Sequence, residues 1–292
     1  MSSPLLWFGG KGVVAKKHII PFLPKHRFYR EPCVGGCHVI AQKSRAAHEV
    51  VNDVDGNLVN FLLEVRRDPE LFTYEALRLP YSRLLYDKFR QEPWPDDPFQ
   101  RAVRWFYLNR SGINAGNAEE VPTTGWRHSN SSNQNPAQGY ASACNRIIDF
   151  AARMSGVMIE CMSFHYFIPK YDNPGAVWYV DPPYVGRERR YAGNWTMDHH
   201  EELAALLNNT KGFVILSYYD HPILENLYPG WHRRSFSNPK QVTVTGRDSK
   251  ATELLIMNFD PEKEVNKTNE RNTRCLAGTD KGRAHGMPAV RR

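Results

Sequence analysis

Short apolar runs alternate with amphipathic stretches along the first part of the chain. Residues 27–34 and 46–53 have the pattern of strands, and a Gly-Gly turn and a helical stretch near residues 36–44 separate them. Residues 57–65 place their apolar side chains on one face of a second helix. This alternation predicts the strand–helix–strand beginning of an α/β domain.

The same alternation returns after residue 150. Apolar runs of strand length occur at residues 157–160, 176–180, 213–217 and 252–258. Residues 198–208 have the pattern of a helix between two of these runs. We therefore predict an α/β fold with a doubly wound, mostly parallel sheet.

The segment between these halves has a different texture. Residues 70–91 and 98–109 carry arginine, leucine and aromatic residues at helical spacing, and residues 111–138 form a polar stretch without strand alternation. We expect residues 65–150 to be an inserted, mainly helical module, although a surface loop is a plain alternative for the polar stretch. The main domain then comprises residues 1–64 and 151–260.

Composition and charge narrow the class of protein. The 292 residues, 41% of them hydrophobic, suffice for one sizeable core. No apolar run approaches the roughly 18 residues of a membrane helix, and the beginning of the chain lacks the layout of a signal peptide. We therefore expect a cytoplasmic protein with no membrane partner.

The basic character of the chain favours a polyanionic partner such as nucleic acid. The formal net charge is +7 and the pI is about 9.1. Part of the excess lies in residues 261–292, where eight Lys/Arg face four Asp/Glu and large apolar residues almost vanish. We expect this segment to be a disordered basic tail.

The cysteines and histidines do not form an evident metal site. Five scattered cysteines are typical of reduced thiols. The sequence Cys33-x3-Cys37-His38 has no second close ligand pair. His199, His200 and His221 would need the fold to bring them together, and we expect them on the solvated surface. No metal is therefore expected.

Residues Asp181-Pro182-Pro183-Tyr184 follow the apolar run 176–180, as a loop follows a buried parallel strand. Two prolines stiffen the turn and remove backbone donors, which leaves the Asp181 carboxylate and the Pro182 carbonyl as acceptors. Together they can accept both hydrogens of an exocyclic amine, and Tyr184 can stack on the same base. A rigid loop without chemistry is the plain alternative for a Pro-Pro pair.

This loop and several other motifs, in their order, resemble the Dam-type DNA adenine-N6 methyltransferases over roughly residues 5–260. The matching motifs are Trp7-Phe8-Gly9-Gly10-Lys11, Glu31-Pro32-Cys33-Val34-Gly35-Gly36-Cys37, Asn52-Asp53, Phe106-Tyr107-Leu108-Asn109-Arg110-Ser111-Gly112 and Asp181-Pro182-Pro183-Tyr184. The resemblance implies a Rossmann-like fold that binds S-adenosylmethionine as methyl donor. It also implies a donor site built from Trp7, Lys11, Glu31, Cys33, Gly35, Asp53, Cys161 and Asp181.

Elementary chemistry agrees with one of these implied roles. Asp53 stands about twenty residues after the glycines, and a carboxylate at such a distance accepts the hydroxyl hydrogens of a ribose in dinucleotide sites. Gly9-Gly10-Lys11 does not indicate a nucleotide triphosphatase, because the earlier glycine and the following Ser/Thr of a phosphate-binding loop are missing.

The order of the motifs resembles the branch of the family whose target-recognition domain lies between the donor motifs and the catalytic loop. Residues 65–150 are then expected to contact double-stranded DNA, with Arg110, Asn114 and Arg127 as candidates for phosphate or base-edge contacts. The implied reaction is direct methyl transfer to the N6 amine of an adenine that has rotated out of the duplex, without a covalent enzyme intermediate. We expect a monomer, with a weak dimer as the alternative.

Two other hypotheses stay open at this point. The amine of cytosine offers the same two hydrogens, so a cytosine-N4 methyltransferase is a close variant. A DNA-binding or decoy protein on the same fold is an alternative from another class, in which Cys33 and His38 are the departures from the usual donor loop. The target sequence, and whether methylation protects DNA in a restriction–modification pair or marks it, are not specified by these motifs.

Overall fold

The computed structural model describes residues 1–113, 125–129, 135–188, 195–238 and 251–264, and the statements below concern these ranges. They contain a seven-stranded sheet. The strands are β1 (Phe28–Glu31), β2 (His48–Asn52), β3 (Val157–Glu160), β4 (Ala176–Val180), β5 (Phe213–Tyr219), β6 (His232–Asn238) and β7 (Ala251–Met257). The helices are α1 (His38–Gln42), α2 (Gly56–Arg67), α3 (Pro69–Arg78), α4 (Arg83–Gln91), α5 (Pro98–Ser111), α6 (Pro136–Asn145), α7 (Ile147–Met154), α8 (Phe164–Tyr171), α9 (Met197–Asn208) and α10 (Ile223–Leu227).

The strand order is β3-β2-β1-β4-β5-β7-β6. The first five strands pair in parallel, and β7 is antiparallel to both β5 and β6. The predicted doubly wound, mostly parallel α/β fold is therefore confirmed. After β1 the chain continues outward to β2 and β3, and after β4 it continues outward on the other side to β5. The loops that leave β1 and β4 therefore diverge and open a crevice at the carboxyl ends of the strands.

The pattern of burial explains which strands the sequence predicts well. All five residues of β4 are buried, because a central parallel strand has helices on both of its faces. β6 lies at the edge and has the mostly polar sequence HRRSFSN, in which Phe236 is buried beneath exposed neighbours. Its apolar content is too low for a strand prediction, and the sequence analysis missed it for this reason.

The helices from α2 to α7 pack around a cluster of aromatic side chains. Phe61 of α2 and Phe106 of α5 stack with ring centroids 5.5 Å apart, and Phe72 of α3 meets Phe61 edge-on at the same separation. This cluster is continuous with the apolar core beneath β1, where Tyr29 is fully buried. The described part of residues 65–150 is thus helical, whereas its role as a separate recognition domain stays a prediction.

Several predicted features lie outside the described residues. These are most of the polar stretch 111–138, including Asn114, and the tail from residue 265 onward. Among the helices that are described, none is long and apolar enough to cross a membrane.

Candidate active site

A cleft lies at the carboxyl ends of β1, β2 and β4, where the topology opens a crevice. Its empty volume is about 970 Å³, part of which is open to solvent. Eight of the residues that the sequence analysis proposed line it: Trp7, Lys11, Glu31, Cys33, Gly35, Asp53, Asp181 and Pro183.

The glycine loop that follows β1 forms one wall of the cleft. Gly35 has a φ of +45°, which favours glycine, and a side chain there would stand 2.4 Å from the indole Nε1 of Trp7. At Gly36 the nearest atom would be Nε2 of His38, at 2.7 Å. The glycines therefore make room for Trp7 and His38 to pack against the backbone of the loop.

Asp53 follows β2 and holds the glycine loop from the other side. Its Oδ2 accepts the N–H of Gly35 at 2.8 Å, and its Oδ1 accepts the N–H of Asp55 at 3.1 Å. Burial, together with the nearby charge of Asp55, raises the pKa of Asp53 to about 6. A carboxylate has about four acceptor sites, and the backbone N–H of Val54 also bonds this one, so at least one site remains for a ligand.

Glu31 ends β1 and is a second buried acid in the cleft. Its side chain is 1% exposed, and the hydroxyl of Tyr29 donates to its Oε1 at 2.6 Å. Burial raises the pKa of Glu31 to about 8, against the lowering effect of the Tyr29 hydrogen bond. Glu31 is therefore largely protonated at neutral pH in the protein without a ligand.

The two cysteines of the predicted donor site differ in position. Cys33 lines the cleft directly after Pro32, and burial raises the pKa of its thiol well above its usual value. A protonated thiol is a poor nucleophile, so Cys33 is not set up for covalent chemistry. Cys161 is exposed and is not among the residues that line the cleft, so its donor contact stays a prediction.

Asp181, at the end of β4, forms a compact network with Lys11, Tyr184 and Glu253. The Nζ atom of Lys11 donates to the Asp181 carboxylate at 2.9 Å, pairs with Glu253 Oε1 at 2.9 Å and donates to the carbonyl of Gly9 at 2.7 Å. The Tyr184 hydroxyl lies 3.0 Å from Asp181 Oδ1 and 2.5 Å from Glu253 Oε1. The Asp181 side chain is 21% exposed, whereas that of Lys11 is 2% exposed.

The rest of the Asp-Pro-Pro-Tyr loop is packed against the core. The Tyr184 ring is buried, and its centroid lies 4.6 Å from that of Tyr219 and 5.5 Å from that of Tyr218. Among the described residues, none donates a hydrogen bond to the Pro182 carbonyl. The loop therefore presents the Asp181 carboxylate at the cleft while the tyrosine ring lies behind it, and stacking of Tyr184 on a base stays a prediction.

Two of the three predicted DNA contacts bond the backbone of this chain. Arg110 donates to the carbonyl of Gly139 at 3.1 Å, and burial lowers its pKa to about 10. Arg127 donates to the carbonyls of Gly112 and Ile113, at 3.0 and 2.7 Å. These bonds use part of each guanidinium, so a DNA contact by either arginine stays a prediction.

The sequence analysis missed several residues of this region. Glu253 is a lone acid within an apolar strand run, which is a signal that a buried charge has a partner. Asn109 lies in a quoted motif without an assigned role; its side chain exchanges two hydrogen bonds with the backbone of Leu6 and so anchors the N-terminal segment beside the cleft.

The three histidines that were expected on the solvated surface differ in position. His221 is exposed as expected, and His199 is half-buried at the cleft. His200 is fully buried, with its ring nitrogen 2.7 Å from the hydroxyl of Tyr218. The expectation was wrong for His200, because its ring packs against Tyr218 of β5 instead of facing water. Within the described ranges, no group of three or more His, Cys, Asp or Glu has an arrangement that would hold a metal ion.

The fold and the cleft define a class of α/β protein with a crevice at the carboxyl ends of its parallel strands, beside an Asp-Pro-Pro-Tyr loop. The chain belongs to the D12 class of N6 adenine-specific DNA methyltransferases, whose family model matches residues 7–243. The family implied by the sequence motifs is therefore confirmed.

Curated relatives carry the same description. The chain is 25% identical over 272 residues to a DNA adenine methylase of Vibrio cholerae, with 88% of this chain and 95% of that protein covered. It is 27% identical over 282 residues to the DNA adenine methylase of Escherichia coli K12, with the same two shares covered.

Proposed function

We propose that the cleft binds S-adenosylmethionine and that Asp181 holds the N6 amine of an adenine in double-stranded DNA beside the donor's methyl group. The observation that carries this proposal is that Asp53 and Asp181, which follow β2 and β4, line the same cleft. A donor held by its ribose at Asp53 would extend toward Asp181 within one cavity. Family membership supports the chemistry, and the residue assignments are our own.

The acids of the cleft fit this donor. Asp53 keeps at least one acceptor site, which fits a hydroxyl group of a ribose. The donor is also a cation at its sulfonium and its ammonium group. The described lining has the carboxylates of Asp53 and Asp181 against a single lysine, Lys11, and Glu31 can add a third negative charge once a cation lies beside it, so a cationic ligand is electrostatically favoured.

The acceptor sites of Asp181 fit one hydrogen of an amine. A carboxylate has about four acceptor sites. In this structure Lys11 lies within bonding distance of both oxygens and the Tyr184 hydroxyl lies near Oδ1. At least one site, on Oδ2, then remains for the amine, and the Pro182 carbonyl is the acceptor proposed for the second hydrogen.

With both hydrogens held, the amine's lone pair is directed away from the two acceptors. When bound, the donor would supply an electrophilic methyl group on sulfur, and the methylated amine would release its extra proton to solvent, to which part of the cleft is open. The contribution of the protein is orientation and charge, because Asp181 stabilises the positive charge that develops on nitrogen. The protonated thiol of Cys33 supports transfer without a covalent enzyme intermediate.

The DNA contacts are proposed for residues 65–150. An amine within a duplex cannot enter the cleft, so the adenine has to rotate out of the stack, which costs a few kcal/mol. Arg110, at the end of α5, and Arg127, in the loop before α6, are proposed to contribute phosphate contacts that offset this cost. We propose that the protein acts as a monomer on a specific DNA sequence.

The test is methyl transfer by the purified chain to unmethylated duplex DNA. Donor with a labelled methyl group is supplied, the DNA is digested to nucleosides, and the labelled nucleoside is identified. We expect N6-methyl-2′-deoxyadenosine from the wild type and a large loss in Asp181→Ala, with donor binding largely retained in that variant. Label in N4-methyl-2′-deoxycytidine, or donor binding without any transfer to DNA of varied sequence, would contradict the proposal; the second result is the one that a decoy protein would give.

A further inference from the structure

Strand β7 places a second carboxylate directly behind the Asp-Pro-Pro-Tyr loop. Glu253 lies opposite Tyr219 of β5 in the antiparallel pairing, and its side chain is 1% exposed. A buried glutamate in an apolar strand costs free energy unless it is paired. Its partners include Lys11 and Tyr184, the same two groups that contact Asp181.

The hydrogens of these two groups are distributed between the two carboxylates. The Lys11 ammonium has three hydrogens, and they match its three kinds of acceptor: the carbonyl of Gly9, Asp181 and Glu253. The Tyr184 hydroxyl has one hydrogen, and it lies 2.5 Å from Glu253 Oε1 but 3.0 Å from Asp181 Oδ1. The shorter contact assigns that hydrogen to Glu253.

Without Glu253, the ammonium and the hydroxyl would both turn to Asp181. Their hydrogens would then occupy the acceptor sites that an amine needs, and the stronger contact with Lys11 would draw the carboxylate away from the cleft. With Glu253 present, Asp181 is held by Lys11 and keeps an acceptor site for a ligand. We propose that Glu253 is a positioning residue for methyl transfer, which keeps Lys11 and Tyr184 from saturating Asp181. This inference rests on the proposed role of Asp181 as the amine acceptor.

The charges of the cluster lead to a second consequence. Two carboxylates share one ammonium, and burial together with the charge of Glu253 raises the pKa of Asp181, although Lys11 lowers it. Removal of the Glu253 charge therefore lowers the pKa of Asp181.

The other titratable groups around Asp181 and Glu253 should not reverse this lowering of the Asp181 pKa. They are His18, Glu31, Cys33, Tyr179, Tyr218 and Tyr219. Burial raises the pKa values of the tyrosines and of Cys33. Those four groups stay neutral across the acidic range of the measurement, and Glu31, with its pKa near 8, is neutral there as well. Burial lowers the pKa of His18.

The experiment compares the full-length wild type with Glu253→Gln and Glu253→Ala. Single-turnover methyl transfer is measured with saturating S-adenosylmethionine and duplex DNA across pH 4.5–8, and donor Kd is measured by calorimetry. Glu49→Gln is the matched control, because Glu49 is also a buried sheet glutamate, paired with Lys43 and Arg153 and outside the cleft. It reports the general effect of losing a buried ionic partner.

We expect Glu253→Ala to lose about 10²-fold in the transfer rate with donor Kd changed less than threefold, since a misplaced reacting group costs about that much. Glu253→Gln keeps an acceptor oxygen, so its loss is smaller and the acidic limb of its rate profile moves to lower pH by about one unit. Glu49→Gln should leave that limb in place.

The outcomes separate this inference from the proposed function. If the wild type transfers methyl to adenine and both Glu253 variants match it in rate and in acidic limb, the positioning role is wrong and the proposed function stands. A rate loss in Glu253→Gln with an unmoved limb, as in Glu49→Gln, assigns Glu253 a structural role and also overturns the inference. Absence of transfer by the wild type refutes the proposed function itself.

Discussion

Replacement of Asp53 by asparagine should weaken donor binding while leaving the fold intact. Asparagine has nearly the same shape and keeps one acceptor oxygen for the N–H of Gly35 or of Asp55, which Asp53 accepts at 2.8 and 3.1 Å. It loses the charge and the second oxygen. A hydrogen bond to a charged group contributes about 1.5–3 kcal/mol, so the loss of one ribose contact of this kind amounts to roughly 3 kcal/mol at most. Because about 1.4 kcal/mol is a factor of ten, Kd for the donor should rise by up to about 10²-fold.

The assay is calorimetric titration with S-adenosylmethionine, and the matched control is Asp55→Asn. Asp55 caps α2 through the N–H groups of Asn57 and Leu58, and asparagine is an equally good cap. It does not line the cleft, so the Kd of Asp55→Asn should stay near that of the wild type. Since the pKa of Asp53 is about 6, the gap between wild type and Asp53→Asn should narrow below pH 6. Equal Kd values for the wild type and Asp53→Asn at pH 7.5 would refute the role of Asp53.

Three further predictions concern charge in the cleft and in the helical segment. Asp181→Asn should lower kcat by about 10²–10³-fold with little change in donor Kd, because the substitution removes the charge that stabilises the positive charge developing on the amine nitrogen. An unchanged kcat would contradict this role of the Asp181 charge. Donor binding should release a proton from Glu31 near pH 7, because the pKa of Glu31, about 8 without a ligand, falls when a cation lies beside it. Calorimetry in buffers of different ionisation enthalpy detects the released proton, and equal binding heats in all buffers would place the cation elsewhere. Arg127→Ala should reduce the slope of log K for DNA against log salt by about one if the arginine neutralises a phosphate, and an unchanged slope leaves it a purely structural role.

The sequence was sufficient for the parts of this protein that depend on local patterns. The strands of the parallel sheet are short apolar runs with helices between them, so their order and approximate bounds follow from periodicity. The three acids of the cleft were predicted from their resemblance to the family's motifs, and each stands at the end of such a strand: Glu31 ends β1, Asp53 follows β2 and Asp181 follows β4. The carboxyl ends of parallel strands meet at one edge, which brings distant positions together.

The parts that could not be predicted depend on long-range packing. Glu253 is 72 positions after Asp181 in numbering, and only the antiparallel insertion of β7 between β5 and β6 brings the two carboxylates to one lysine. The burial of the Tyr184 ring depends on Tyr218 and Tyr219 of β5, which no local pattern connects to the loop. β6 lacked an apolar pattern because an edge strand faces water.

The central claim is that Asp181 positions the N6 amine of adenine for methyl transfer in the cleft that holds the donor. The most direct measurement is modification-sensitive sequencing of DNA from methylation-deficient cells that express either the wild type or Asp181→Ala at equal protein levels. We predict N6-methyladenine at one recurring sequence in the wild-type sample and its near absence in the Asp181→Ala sample. Equal modification in both samples, or no modified adenine with the folded wild type, would contradict the account.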